Sequence, residues 1–311
     1  MRKRHKVLIA LGLVVIPLGL LGSTFLPAPL PEPAPLTTNE PNASPPSDMA
    51  IFQLPTGLIH RNAAFAYRGG SPFDKRDFSM TAVLIRHPRG DLLIDTGFGR
   101  DIAEHLQKMP WIFQAMTKYE RTRSAAEQLD AAGYDRSRLQ GIILTHAHWD
   151  HVSGIAEFPK TPIWVVPDER HFIENGGTLT AVIREFPNVT YHEYTFDRGA
   201  YLGFEKSHDV YGDGSIVIVP APGHTPGSVI VFVNLPDKHR YAFVGDLCWQ
   251  REGILEREER PWVQRTAADV DPALVRENLL RMAAIVKRFP DLTLVPAHEA
   301  RAFVGIPGFV K

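Results

Sequence analysis

Ile142-Ile143-Leu144-Thr145-His146-Ala147-His148-Trp149-Asp150-His151 is the stretch whose reading decides the fold. An apolar, β-branched run stops abruptly in four residues of metal-ligand type. Its length and flanks predict a buried strand. The polar cluster then falls on the loop at the carboxyl end of that strand, where open α/β sheets place their sites. His146 and His148 are two apart, so an extended loop projects both the same way. Asp150 and His151 follow at once and face a neighbouring point. Two adjacent groups of nitrogen and oxygen donors suit a pair of metal ions. The competing reading is a surface histidine cluster, which four such residues in six positions after a buried strand disfavour.

Outward from this stretch, other apolar runs end in the same chemistry. Residues 81–96 read as a hairpin around Pro88-Arg89-Gly90-Asp91, and the second run ends in Asp95-Thr96-Gly97. Two apolar runs flank Pro222-Gly223-His224-Thr225-Pro226-Gly227, a rigid loop carrying a single histidine. The run Tyr241–Gly245 ends in Asp246, and Leu292–Ala297 ends in His298. A series of strand ends that each finish in a metal ligand is hard to produce by chance.

The pattern His146-x-His148-x-Asp150-His151, with His224, Asp246 and His298 in order behind it, resembles the metallo-β-lactamase superfamily over residues 50–311. The resemblance implies an α/β fold, a four-layer αβ/βα sandwich with its metals in a cleft at one edge. It implies that one metal takes His146, His148 and His224, the other Asp150, His151 and His298, with Asp246 between them. It also implies that Asp95 orients a ligand histidine through its far imidazole N–H. Two zinc ions are the expected cofactors, and iron, cobalt or manganese fit the same donors. The implied reaction is hydrolysis by a metal-activated water, with Asp150 handling a proton.

What is present and absent narrows the subfamily implied by the resemblance. Asp246 argues against the β-lactamases of this fold, which generally lack it. Thioesterases of the glyoxalase II type carry a helical domain after the last histidine, and here thirteen residues follow His298. His148 argues against the flavo-diiron oxidoreductases. What remains is the lactonase group, with the exported organophosphate hydrolases. An ester, above all a lactone, is therefore the expected small-molecule substrate. Phosphotriester or arylester hydrolysis is the alternative if Trp111, Phe113 and Trp249 line the cleft. A non-catalytic metal-bound module is a third reading, disfavoured by a full ligand set. Lactonases usually carry a Tyr three residues after the bridging Asp; Trp249 stands there, as a candidate donor to substrate.

The rest of the chain sets boundaries. A net charge of −1 and 22% charged residues give no nucleic-acid footprint. One cysteine, Cys248, excludes an internal disulfide and a cysteine-rich zinc module; it reads as a small buried hydrophobe. Arg2, Lys3, Arg4 and Lys6 precede an apolar run, Val7–Leu21, so residues 1–26 read as a signal peptide or signal anchor. The expected location is exported, periplasmic or anchored to the inner membrane, with membrane contact only through this segment. Residues 27–50, with eight prolines by residue 48, read as an extended, structureless linker. Residues 51–311 form the expected domain. In it, residues 100–119 read as helix broken at Pro110, with Trp111, Ile112, Phe113 and Met116 as a core stripe or, alternatively, a pocket lining or homodimer contact. His87 reads as a solvated turn residue, and His171 and His192 as surface residues. Asp271 and Pro272 start a helix whose Leu274, Leu279, Met282 and Ile285 cover the second sheet.

Overall fold

The structure is a computed structural model and describes Gly19 and residues 21–310. The basic and apolar start of the leader, apart from Gly19 and Leu21, lies outside the described residues. Among the described residues, no helix is long and apolar enough to cross a membrane.

Hydrophobic alternation builds two sheets. The first contains β1 (Ala50–Asn62), β2 (Lys75–Arg86), β3 (Asp91–Ile94), β4 (Tyr119–Arg121), β5 (Leu139–Ile143), β6 (Ile163–Val165) and β7 (Tyr191–Glu193), in the order β4-β1-β2-β3-β5-β6-β7. The second contains β8 (His208–Asp209), β9 (Ile216–Pro220), β10 (Val229–Asn234), β11 (Arg240–Gly245) and β12 (Leu292–Pro296), in the order β12-β11-β10-β9-β8. Strands buried on both faces read as continuous apolar runs, and β3 shows how one run serves two layers. Leu92 and Ile94 point between the sheets, where they meet Ile218, Val231 and Phe243. Leu93 points outward, into the helices that cover the first sheet. In the second sheet, Val217, Val219, Ile230 and Phe232 face out against the helix Pro272–Arg288. The result is helix, sheet, sheet, helix: the expected αβ/βα sandwich.

Parallel pairing sets the site's position. β3 and β5 run parallel, as do β11 and β12. Their carboxyl ends therefore lie along one edge, and the residues that follow them share that edge. The Gly245 backbone sits at φ +53°, and a Cβ there would lie 2.9 Å from the Thr145 side chain. Glycine thus lets the ends of β11 and β5 close on each other.

Four expectations are corrected. Residues 27–49 carry no regular structure, but they are not a free linker. Leu30 and Leu36 pack against the outer core of the second sheet. The Leu30 N–H donates to Arg257 O at 2.8 Å, and Glu40 pairs with Arg240 at 2.7 Å. Proline-rich chain loses little entropy on being laid down, so a few contacts hold it. His87 is not solvated: it is 1% exposed and stacks on Tyr211 at 3.8 Å. The stripe on the helix Trp111–Met116 is not core, since Trp111, Ile112 and Met116 are 76%, 54% and 61% exposed. Only Phe113 of this group packs, edge-on against Trp149 at 5.7 Å. Leu274 is 37% exposed, and its neighbour Val275 takes the core position instead, because the helix presents the face one residue further round.

This last difference is testable. Met282→Ala should destabilise the protein by about 2–5 kcal/mol in urea unfolding, since a fully buried side chain leaves a cavity. Leu274→Ala should cost under about 0.5 kcal/mol by the same measurement.

Candidate metal centre

The edge where the strands end gathers all seven expected ligands. His146 and His148 leave the loop after β5, Asp150 and His151 open the short helix Trp149–Val152, and His224 comes from the loop between β9 and β10. Asp246 ends β11, and His298 lies two residues after β12. Among the described residues, three groups have ligand atoms within 4.8 Å of one another: His146, His148 and His224; His146, His151 and Asp246; Asp150, His151 and His298. The first and third are the two ligand sets the sequence pattern implies, and the second joins them.

The geometry suits coordination. The rings of His146, His148 and His224 are mutually 4.6 Å apart and cross at 79–85°, so three Nε2 atoms face one point. Asp246 lies between the groups. Its Oδ1 is 3.3 Å from His151 Nε2 and 3.0 Å from His298 Nε2, while its Oδ2 is 3.3 Å from His298 Nε2 and 3.4 Å from His224 Nε2. Asp150 Oδ2 is 3.5 Å from His298 Nε2. Two donors held about 2.0–2.1 Å from a tetrahedral zinc are about 3.4 Å apart. The Nε2 atoms of His146, His148, His151 and His224 and Asp246 Oδ1 are all buried without a hydrogen-bond partner. Buried polar atoms in a native fold have partners, so this donor set fits metal ions.

Behind the ligands lies a set of acceptors that fix each ring. Asp95 Oδ2 accepts from His151 Nδ1 at 2.8 Å, as the resemblance implies, and its oxygens also accept from the Thr145 N–H and hydroxyl. Asp95 itself sits at φ +53°. Asp tolerates this left-handed conformation better than most residues, and it turns the carboxylate under the loop. Asp269 Oδ1 accepts from His224 Nδ1 at 2.8 Å, and Ser79 O accepts from His298 Nδ1 at 3.1 Å. With Nδ1–H engaged, Nε2 is left as the free donor.

Burial and neighbours set the charge of the rings. Burial holds His146 and His148 well below the usual imidazole range, and adjacent histidines push the same way. Both are therefore neutral, as metal binding requires. At His151 burial works against protonation, but the carboxylates of Asp95 and Asp246 outweigh it. His298 follows the same balance, chiefly through Asp246.

Sequence reading missed three of these supports. Asp269 precedes the recognisable helix cap Asp271, and nothing local distinguishes the two. Arg260 donates to Asp246 O at 2.7 Å and pairs with Asp269, so it ties two ligand segments together. Glu169 looks like any acidic residue in a first helical turn. It is 1% exposed, and it accepts from the Ala147 N–H, the Gly227 N–H and the Thr225 hydroxyl. One carboxylate thereby clamps the loop of His146 and His148 to the loop of His224; burial raises its pKa to about 7. The expectation for Trp249 is also corrected. Its indole N–H donates to Asp246 Oδ2 at 2.8 Å, and its ring stacks on Phe65 at 5.3 Å. It faces a ligand, so its donor is engaged before any substrate arrives.

Comparison with known proteins agrees with this geometry. The family model of the metallo-beta-lactamase superfamily matches residues 76–298. The chain belongs to that superfamily. A "probable metallo-hydrolase" of Mycobacterium tuberculosis is 30% identical over 230 residues, which cover 70% of this chain and 73% of that one. The N-acyl homoserine lactonase AttM of Agrobacterium fabrum is 27% identical over 269 residues, 83% of this chain and 95% of its own. An N-acyl homoserine lactone hydrolase, solved with N-hexanoyl-L-homoserine at its catalytic metal centre, superposes with a TM-score of 0.63 at 18% identity, over 83% of this chain and 96% of that one. At that identity the likeness speaks for the fold. This superfamily member is a metal-dependent hydrolase, and its histidines and aspartates fit a metal site.

The acceptors behind the rings make a prediction. Asp269→Asn should lower affinity for a metal held by His146, His148 and His224 roughly 10–100-fold while leaving the fold intact. Chelator competition followed by metal analysis reads this. An unchanged metal content would remove Asp269 from the site.

Proposed function

We propose that this protein is a dinuclear metal-dependent hydrolase of a small-molecule ester, specifically a lactone. The observation that carries the reading is Asp246, whose carboxylate lies between the histidine groups, within 3.0–3.4 Å of the Nε2 atoms of His151, His298 and His224. His146, His148 and His224 would hold one cation, and Asp150, His151 and His298 the other. Zinc fits these nitrogen and oxygen donors, as do iron, cobalt and manganese. When bound, two cations supply Lewis acidity and lower the pKa of water toward neutrality.

The chain's own residues do the rest. Asp150 is the most exposed of the ligands and stands at the mouth of the site. From there it can take a proton from the attacking water and pass it to the departing alkoxide, which a lactone retains within the product. Trp249 and Arg260 fix Asp246 from behind. Phe65, Phe78 and Trp249 form an aromatic cluster: Phe65 stacks on Trp249, Phe78 meets both edge-on, and Phe78 stacks on His298.

Support for a lactone comes from the AttM relative, a named lactonase that covers most of this chain. Of the three aromatic residues that would favour a phosphotriester, Phe113 packs on Trp149 and Trp249 holds Asp246, while Trp111 is 76% exposed. We further propose that the protein acts outside the cytoplasm, exported or held to the inner membrane by its N-terminal segment.

Hydrolysis should be followed for lactones, aryl esters, thioesters, phosphotriesters and β-lactams, with and without chelator. Lactone turnover should dominate, vanish with chelator, return with zinc, and be absent in His148→Ala. Turnover that persists after complete metal removal would overturn the reading. Trp249→Phe should weaken metal retention, because a hydrogen bond to a charged group contributes about 1.5–3 kcal/mol. It should leave the ranking of substrates unchanged.

A further inference from the structure

The start of the described chain is pinned beside the metal centre. Phe25 O accepts from the Gly69 N–H at 2.9 Å, and Leu26 O accepts from Arg68 Nε at 3.0 Å. The Ala28 N–H donates to both oxygens of Glu258, at 2.9 and 3.0 Å. The Thr24 hydroxyl, itself buried, accepts from the Trp262 N–H. Residues 24–28 are thus clamped between Arg68–Gly69 and the segment 258–262. That segment leads into the helix Trp262–Ala268, which is flanked by Arg260 and Asp269. Those two residues grip Asp246 and His224. The N-terminal chain therefore joins the body on the wall of the site.

Apolar side chains are bare at this junction. Leu21, Leu26, Trp262 and Val263 are 42%, 61%, 56% and 43% exposed. In the helix Trp262–Ala268 the one buried residue is Gln264, and Trp262 and Val263 face away from the core. Upstream, the sequence Val7–Leu21 is almost wholly apolar behind Arg2, Lys3, Arg4 and Lys6. The apolar run ends at Leu21, and Thr24 is already fixed to the body. Three residues of fully extended chain reach about 10 Å. A bilayer that takes up the apolar run leaves the body no room to stand away from it.

We propose that the face made by Leu21, Leu26, Trp262 and Val263 rests on a phospholipid bilayer at headgroup depth. Tryptophan favours that depth, because its ring is amphipathic. A short helix with apolar groups on one side lies in the interface without spanning it. The metal centre's wall then stands at the lipid surface rather than at the end of a flexible tether.

The test uses the full chain reconstituted into phosphatidylcholine vesicles. Trp262→Cys and Val263→Cys are labelled separately with an environment-sensitive fluorophore. Cys248 is 4% exposed and does not compete for label. Asp237→Cys is the control; it lies in the turn before β11, at the opposite end of that strand from Asp246. Lipids spin-labelled at the headgroup should quench both site-wall probes, as expected for residues seated in the interface, and should spare Asp237→Cys. If Trp262→Cys fails to fold, Val263→Cys carries the measurement. Failure of the chain to associate with the vesicles overturns the proposal. So does quenching absent at 262 and 263, or equal at all three positions.

Discussion

Four buried imidazole nitrogens and one carboxylate oxygen point at each other with nothing between them to satisfy them. A fold built around such a cluster carries a standing electrostatic problem. Each unpaired polar atom in a dry interior costs on the order of 1–3 kcal/mol, and any proton added to one ring repels its neighbours. Divalent cations remove both difficulties at once, since they accept every lone pair and neutralise Asp246. Metal binding to such a cluster would favour the folded state, in which alone its donors are brought together.

The arrangement depends on restraint from behind. Asp95, Asp269 and Ser79 O each take an Nδ1–H, so the rings cannot swivel to bond elsewhere. Glu169 stitches two ligand loops with three hydrogen bonds, though it touches no ligand side chain itself. Arg260 stitches two more segments. These groups come from both halves of the chain, so neither half makes the site alone. The parallel pairs β3/β5 and β11/β12 bring the halves to one edge.

Away from the edge, the proline-rich segment changes the picture of the N-terminus. Composition correctly implies a chain without helix or strand. It says nothing of docking, because the partners of Leu30, Leu36 and Glu40, Arg257, Gly203 and Arg240 among them, lie in the second half of the chain. The same limit explains His87. A histidine in a Pro-Arg-Gly turn is ordinarily wet, and here the ring of Tyr211 covers it. The exposed stripe on Trp111–Met116 fails in the other direction: helical spacing marks a face as apolar, but not whether anything packs against it.

The ordered series of apolar runs ending in His and Asp, with the family resemblance it carries, was enough to indicate the sandwich and to mark the seven side chains that gather at one edge. Those are local properties, since a buried strand and the residue after it are read from consecutive positions. Tertiary structure alone decided which groups hold the ligands in place. Asp269, Glu169 and Arg260 have no local signature, because a carboxylate or guanidinium acquires its role from what lies within 3 Å of it in space. It also decided that Trp249 serves Asp246 rather than substrate: the direction of an indole N–H depends on how Phe65 and Arg260 pack around the ring, and no spacing along the chain encodes that.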